Sequence, residues 1–248
     1  MKKNIKIIVA HPDDEIIFFS SILRSISKKI ICFSISYDKK VNEGREIIKT
    51  KTPFKNWQFL EQRELSSYSF INLNSYYENY KKLKSSLSKI IKFGDTIYTH
   101  NPWGEYGHED HILVFDVINS LSKKLKLKIF VNGYVSNNSL NLMSKTQHLL
   151  SNNFEYKNID HKFNSNIKRK YIANSCWTFK ENYKWPKTEI FFEIDNKNKN
   201  KKINTSSPNL NFMMDNYKIN FLKKIVIFLL PKSILNILIM SQVKILKK

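Results

Sequence analysis

Along the first half of the chain, short apolar runs alternate with stretches whose apolar residues recur at helical spacing. Ile5-Lys6-Ile7-Ile8-Val9 is the first such run and reads as a buried strand. Ile16 to Ile26 follows at helical spacing and ends in Lys28-Lys29, which predicts a helix. A second strand is expected over 30–36, a helix over 77–92 and a third strand from Thr96 to Thr99. A loop from Asn101 to Gly107, a helix over 112–122 and a fourth strand from Leu127 to Val131 complete the pattern. Gly44 to Lys51 also fits a helix, while Pro53 to Ser75 mixes aromatic and polar residues without a clear period. A strand–helix–strand opening requires a parallel, right-handed crossover. The alternation therefore predicts an α/β chain with a Rossmann-like, doubly wound, mostly parallel sheet.

Beyond residue 135 the pattern changes. Residues 168–194 are dense in aromatics: Tyr171, Trp177, Phe179, Tyr183, Trp185 and Phe191-Phe192, beside Cys176. They either pack an accessory layer against the sheet, the favoured reading, or stack on sugar faces. Asp195 to Pro208 is low-complexity and polar, so residues 195–216 are expected to be a linker between a domain at 1–194 and a helical appendage at 217–248. That appendage carries Ile225 to Leu230, a break at Pro231 and further apolar positions to Leu246; residues 219–248 hold six lysines and no acid. Its longest apolar run is six residues, against the ~20 that a spanning helix needs. Two basic amphipathic helices suited to an anionic membrane surface are expected, with packing on the domain or in a dimer seam as the near-equal alternative.

Composition alters this picture little. The 248 residues carry a formal charge of +21, which invites a nucleic-acid reading. However, 38 of the 42 basic residues are lysine, and only Arg24, Arg45, Arg63 and Arg169 offer the planar fork that phosphate recognition favours. No nucleic-acid partner is expected. The positive field instead favours anionic partners such as nucleotide sugars, lipid phosphates or an acidic membrane face. Cys32 and Cys176 are the two cysteines, which fits a reducing compartment without a disulfide framework. The apolar run after Met1-Lys2-Lys3 breaks at His11-Pro12 and is too short for a signal peptide, so a cytoplasmic location is expected.

Chemistry concentrates at two places. Ala10-His11-Pro12-Asp13-Asp14-Glu15 closes the first strand, at the sheet edge where ligands bind in open α/β folds. His11 and Asp14, three apart across a proline, can reach one cation while Asp13 points elsewhere. Asp13 then lies beside the metal without touching it, as the base for a metal-activated water must. Asp13 or Asp14 as a simple helix cap is the competing reading. Against it stands a second cluster, His108-Glu109-Asp110-His111, again between a strand and a helix, with His100 a little upstream. There is no G-x-S-x-G elbow, and neither cysteine has the context of a thiol nucleophile, so hydrolysis by activated water is the better reading.

These motifs resemble the PIG-L-like (LmbE-like) zinc-dependent de-N-acetylases, which remove acetyl groups from N-acetylglucosamine units. The family's A-H-P-D-D-E motif is matched in full at residues 10–15; its H-x-D-H motif is matched at 108–111, with Glu109 where proline is frequent. The resemblance runs to about residue 135. It implies that His11, Asp14 and His111 bind zinc, that Asp13 is the general base and that His108 assists at the carbonyl. Arg45 and Arg63 both remain open as the family's substrate-binding arginine. Two histidines and a carboxylate are a usual catalytic zinc set, although the same ligands accept Fe(II) or Co(II). The expected activity is a metal-dependent amidohydrolase acting on an N-acetylated amino sugar of a glycan or glycolipid precursor, carried on a nucleotide or lipid phosphate. The expected place is the cytoplasmic side, peripheral to the inner membrane face. Two alternatives stand beside it: a catalytically silent carbohydrate-binding protein on the same fold, and a phosphoesterase, which more often needs two metals.

Overall fold

A computed structural model describes residues 4–50, 56–65, 73–180 and 182–195. Seven strands form one sheet: β1 (Ile5–Val9), β2 (Lys28–Ile31), β3 (Trp57–Phe59), β4 (Thr96–Thr99), β5 (Lys128–Asn132), β6 (Leu150–Asn158) and β7 (Thr188–Ile194). Their order is β3-β2-β1-β4-β5-β7-β6. The first five run parallel, and β7 joins β5 antiparallel with β6 outside it. The doubly wound expectation therefore holds, with an antiparallel extension that the pattern did not reveal. The helices are α1 (Asp14–Phe18), α2 (Lys39–Thr50), α3 (Leu73–Ile90), the single turn α4 (Gly104–Gly107), α5 (Glu109–Leu125), α6 (Leu140–Thr146) and α7 (His161–Ala173).

Strand side chains alternate between two cores. Ile8, Ile30, Ile97 and Ile129 pack on one face with Leu83 and Leu87 of α3 and Leu113 and Val117 of α5. Ile7, Val9, Ile31, Tyr98 and Phe130 pack on the other with α1 and with Ile167 and Tyr171 of α7. Lys6, buried on β1, meets the carboxylate of Asp95 at the foot of β4.

Several boundaries move for identifiable reasons. The helix expected over 16–26 stops at Phe18. The backbone N–H groups of Ser20 and Ser21 donate to the buried carboxylate of Glu189 (3.1 and 3.0 Å), as do both hydroxyls (2.6 Å each), so they are lost to the helical ladder. β2 starts at Lys28 and ends at Ile31; beyond it the chain bends at Cys32 before a bridge between Ile35 and Arg63. α5 begins three residues earlier than expected, because the His108 ring caps it by accepting the Asp110 N–H at 3.2 Å. The 168–194 aromatics mostly pack on α1: Trp185 Nε1 donates to the Ile16 carbonyl (2.8 Å), and Tyr171 is fully buried. Except for Asp195, the linker and the 217–248 appendage lie outside the described residues. Among the described residues, no helix is long and apolar enough to cross a membrane.

Candidate metal centre

The strand order reverses between β1 and β4, so their carboxyl ends open a crevice at the sheet edge. His11 to Asp14 leave β1 into it, and His100 to His111 leave β4 into it. Both sequence clusters therefore converge, and His11, Asp13, Asp14, His108 and His111 meet there.

Asp14 Oδ2 is the focus. His11 Nδ1 lies 3.3 Å from it, and the Nε2 atoms of His100 and His111 each lie 3.4 Å from it. Among the described residues, potential ligand atoms fall into three overlapping groups, each with its atoms within 4.8 Å of one another. These are His11, His108 and His111; Asp14, His100 and His111; and His11, Glu64 and Asp110. Hydrogen bonds decide which of these atoms are free. His108 spends Nδ1 on the cap of α5, which leaves its proton on Nε2. His100 accepts the Ala10 N–H on Nε2 (2.9 Å) and faces Glu105 with Nδ1 (3.0 Å). Burial lowers the His100 pKa, but Glu105 and Asp14 outweigh it and raise it to about 9. The Ala10 N–H nonetheless needs the Nε2 lone pair, so the geometry makes the ring neutral and removes it from the ligand set.

His11 turns Nε2 to Asp110 Oδ2 (3.0 Å), which leaves Nδ1 toward Asp14. His111 turns Nδ1 to Glu105 Oε2 (2.6 Å), and its buried Nε2 has no hydrogen-bond partner. His11 Nδ1 and His111 Nε2 thus face Asp14 Oδ2, which accepts the His11 backbone N–H (2.7 Å) and keeps a second lone pair for a cation. Burial disfavours charge on His11, yet the carboxylates of Asp110 and Asp14 outweigh it and raise its pKa to about 9. An orphaned buried imidazole nitrogen 3.4 Å from a carboxylate oxygen is repulsive unless a proton or a cation intervenes. Two nitrogens and one oxygen, backed by Asp110 and Glu105, suit zinc or a similar first-row cation.

Asp13 belongs to none of the three groups. Its backbone is left-handed (φ 107°, ψ −29°), which swings its side chain away from Asp14. Thr178 fixes Oδ2 through N–H (2.7 Å) and Oγ1 (3.0 Å), while Oδ1 is buried without a partner. Burial, then the Asp14 charge, raises its pKa to about 7. His108 behaves oppositely: burial and the neighbouring imidazoles hold its pKa well below the usual histidine value. Its ring centroid lies 4.9 Å from that of His11 and 4.6 Å from that of His111.

Of the two arginines left open, Arg45 is buried and bonded to the Phe33 carbonyl (3.3 Å) and Glu64 (2.9 Å), whereas Arg63 is exposed over the Tyr37 ring. Sequence reasoning assigned no role to His100, Glu105 or Thr178. His100 carried a signal, standing directly after a strand as His11 nearly does. Thr178 carried none, since 165 residues separate it from Asp13.

The PIG-L family, described as GlcNAc-PI de-N-acetylase, matches residues 6–122. An uncharacterized protein of Acanthamoeba polyphaga mimivirus is 28% identical over 171 residues, 62% of this chain and 76% of its own. A solved deacetylase from the biosynthesis pathway of teicoplanin superposes with a TM-score of 0.53 at 8% identity, covering 77% of this chain and 97% of its own. The zinc-inhibited form of teicoplanin deacetylase gives 0.52 at 10%, with the same coverages. At such identities the likeness is one of fold. Both motifs and every atom around Asp14 Oδ2 lie inside the segment, residues 6–122, that matches the PIG-L family.

Proposed function

We propose that this protein is a zinc-dependent hydrolase that removes the acetyl group from an N-acetylated amino sugar of a glycan or glycolipid precursor. The observation that carries the reading is the pair of imidazole nitrogens, His11 Nδ1 and the unpartnered His111 Nε2, turned toward Asp14 Oδ2, with the unpartnered Asp13 Oδ1 set apart from them. The match of residues 6–122 to the GlcNAc-PI de-N-acetylase family and the fold shared with a teicoplanin deacetylase support the acyl group and the sugar. His11, Asp14 and His111 would hold the zinc. When bound there, zinc activates a water and polarises the amide carbonyl.

The remaining chemistry belongs to the chain. Asp13 Oδ1 takes the proton of the attacking water, and Thr178 keeps Oδ2 from turning in its place. A pKa raised toward neutrality lets the same carboxyl hold that proton and pass it to the departing nitrogen. Acetate and the free amine are the products, with one water consumed. His108, neutral with its proton on Nε2, can donate to the carbonyl oxygen as negative charge builds, a contribution typically worth ~3 kcal/mol. The rings of Phe179, Tyr106 and Tyr134 lie together beside the histidines and offer apolar faces to a pyranose.

The test is an acetate-release screen on N-acetylated sugars, free, nucleotide-linked and lipid-linked, using metal-loaded and chelator-treated protein. Release that disappears with chelation and returns with zinc is expected. Sugar binding without release would make this a silent carbohydrate-binding protein, and phosphate release would make it a phosphoesterase.

A further inference from the structure

Glu105 stands outside the ligand set, yet four donors end on its buried carboxylate. Asn101 N–H (3.1 Å) and Asn132 Nδ2 meet Oε1; His100 Nδ1 (3.0 Å) and His111 Nδ1 (2.6 Å) meet Oε2. Its backbone lies at φ 54° and ψ −70°, a region that a non-glycine residue rarely occupies. Such strain survives only where the surroundings over-determine it. Here they do: Asn101 Oδ1 accepts the Glu105 N–H (2.8 Å), while Ser136 N–H (3.2 Å) and the Ser139 hydroxyl donate to its carbonyl.

A neutral imidazole has one proton, and two carboxylates compete for that of His111. Asp14 is 3.4 Å from Nε2, and Glu105 is 2.6 Å from Nδ1. If Asp14 won, Nε2 would carry the proton and the lone pair would face away from the site. We infer that Glu105 is a positioning residue that keeps His111 in the Nδ1–H tautomer and so turns its Nε2 lone pair toward Asp14. The same oxygen holds His100, whose Nε2 accepts the Ala10 N–H, so this carboxylate also fixes the residue preceding His11. The inference rests on His111 being a metal ligand, and its consequence shows in the metal-free protein.

The test is a long-range proton–nitrogen NMR spectrum of the 15N-labelled, metal-free full chain, followed in pH until the His111 ring is neutral. The wild type should carry its proton on Nδ1; a proton on Nε2 overturns the inference. Glu105→Gln should shift His111 toward the Nε2–H form and weaken zinc binding on the order of 10- to 100-fold, read by chelator competition. A folded variant with unchanged tautomer and affinity also overturns it. Should Glu105→Gln fail to fold, the wild-type spectrum alone decides. Absence of acetate release would strike the hydrolase reading and leave the tautomer result standing.

Discussion

At the scale of single residues, neighbouring identical side chains are given different work by their hydrogen bonds. Asp13 and Asp14 are adjacent, but the left-handed backbone at Asp13 sends one carboxylate to Thr178 and leaves the other among imidazoles. Thr178 is exposed and reaches the site only through Asp13, so Thr178→Val should fold normally. It loses one of two bonds to Oδ2, a change worth about 1.4 kcal/mol for a charged acceptor, or roughly tenfold in kcat. KM should barely move, and Thr178→Ser should restore the rate. A rate unchanged in Thr178→Val would mean that the Asp13 geometry needs no clamp. His108→Ala should likewise lower kcat more than KM, since its Nε2–H acts on charge that develops during the reaction. A large KM effect with kcat preserved would make His108 a substrate-binding residue only.

At the scale of elements, polar side chains decide where the apolar pattern stops. Glu189 on β7 receives four bonds from Ser20 and Ser21, which ends α1 and ties it to the antiparallel part of the sheet. Glu189→Ala would strand those donors in the interior, at a cost of roughly 2–3 kcal/mol. Thermal unfolding should then fall by roughly 5–10 °C while metal content stays the same. An unchanged Tm would show that water replaces the carboxylate freely. Four of the five parallel strands were legible because burial on both faces selects short β-branched and aromatic runs, as in Thr96–Thr99 and Ile129 to Val131; β3, three half-buried residues at the sheet edge, was not. β6 was not legible: Ser151 to Lys157 is polar apart from Phe154 and Tyr156, because an edge strand with exposed faces has no core to satisfy. The end of α1 was hidden for another reason, since its cause lies 169 residues away in Glu189.

At the scale of the whole molecule, the fold brings two motifs, separated by about ninety residues, to one crevice. The resemblance of the two motifs to a known family implied the proposed triad, and the motifs meet because each follows a strand and the doubly wound order makes those strands neighbours. The layer behind the ligands was not accessible in that way. Glu105 and Asp110 acquire their partners only through the turn at α4 and the start of α5, which the pattern read as loop. The basic appendage at 217–248 carries a separate expectation. Its lysines should each contribute up to ~1 kcal/mol near an anionic surface. Removing residues 217–248 should release the protein from anionic liposomes without altering its zinc content. Unfolding on truncation, or an unchanged liposome affinity, would make the segment a packing element.

The central claim is that His11, Asp14 and His111 hold one metal ion while Asp13 works beside it. Metal content of the purified full chain, measured by elemental analysis for the wild type, His111→Ala and Asp13→Asn, tests it most directly. The account predicts about one equivalent for the wild type and well under half of that for folded His111→Ala. For Asp13→Asn it predicts about one equivalent with turnover lower on the order of 10²-fold. A full equivalent at unchanged affinity in His111→Ala, or loss of the metal in Asp13→Asn, would contradict it.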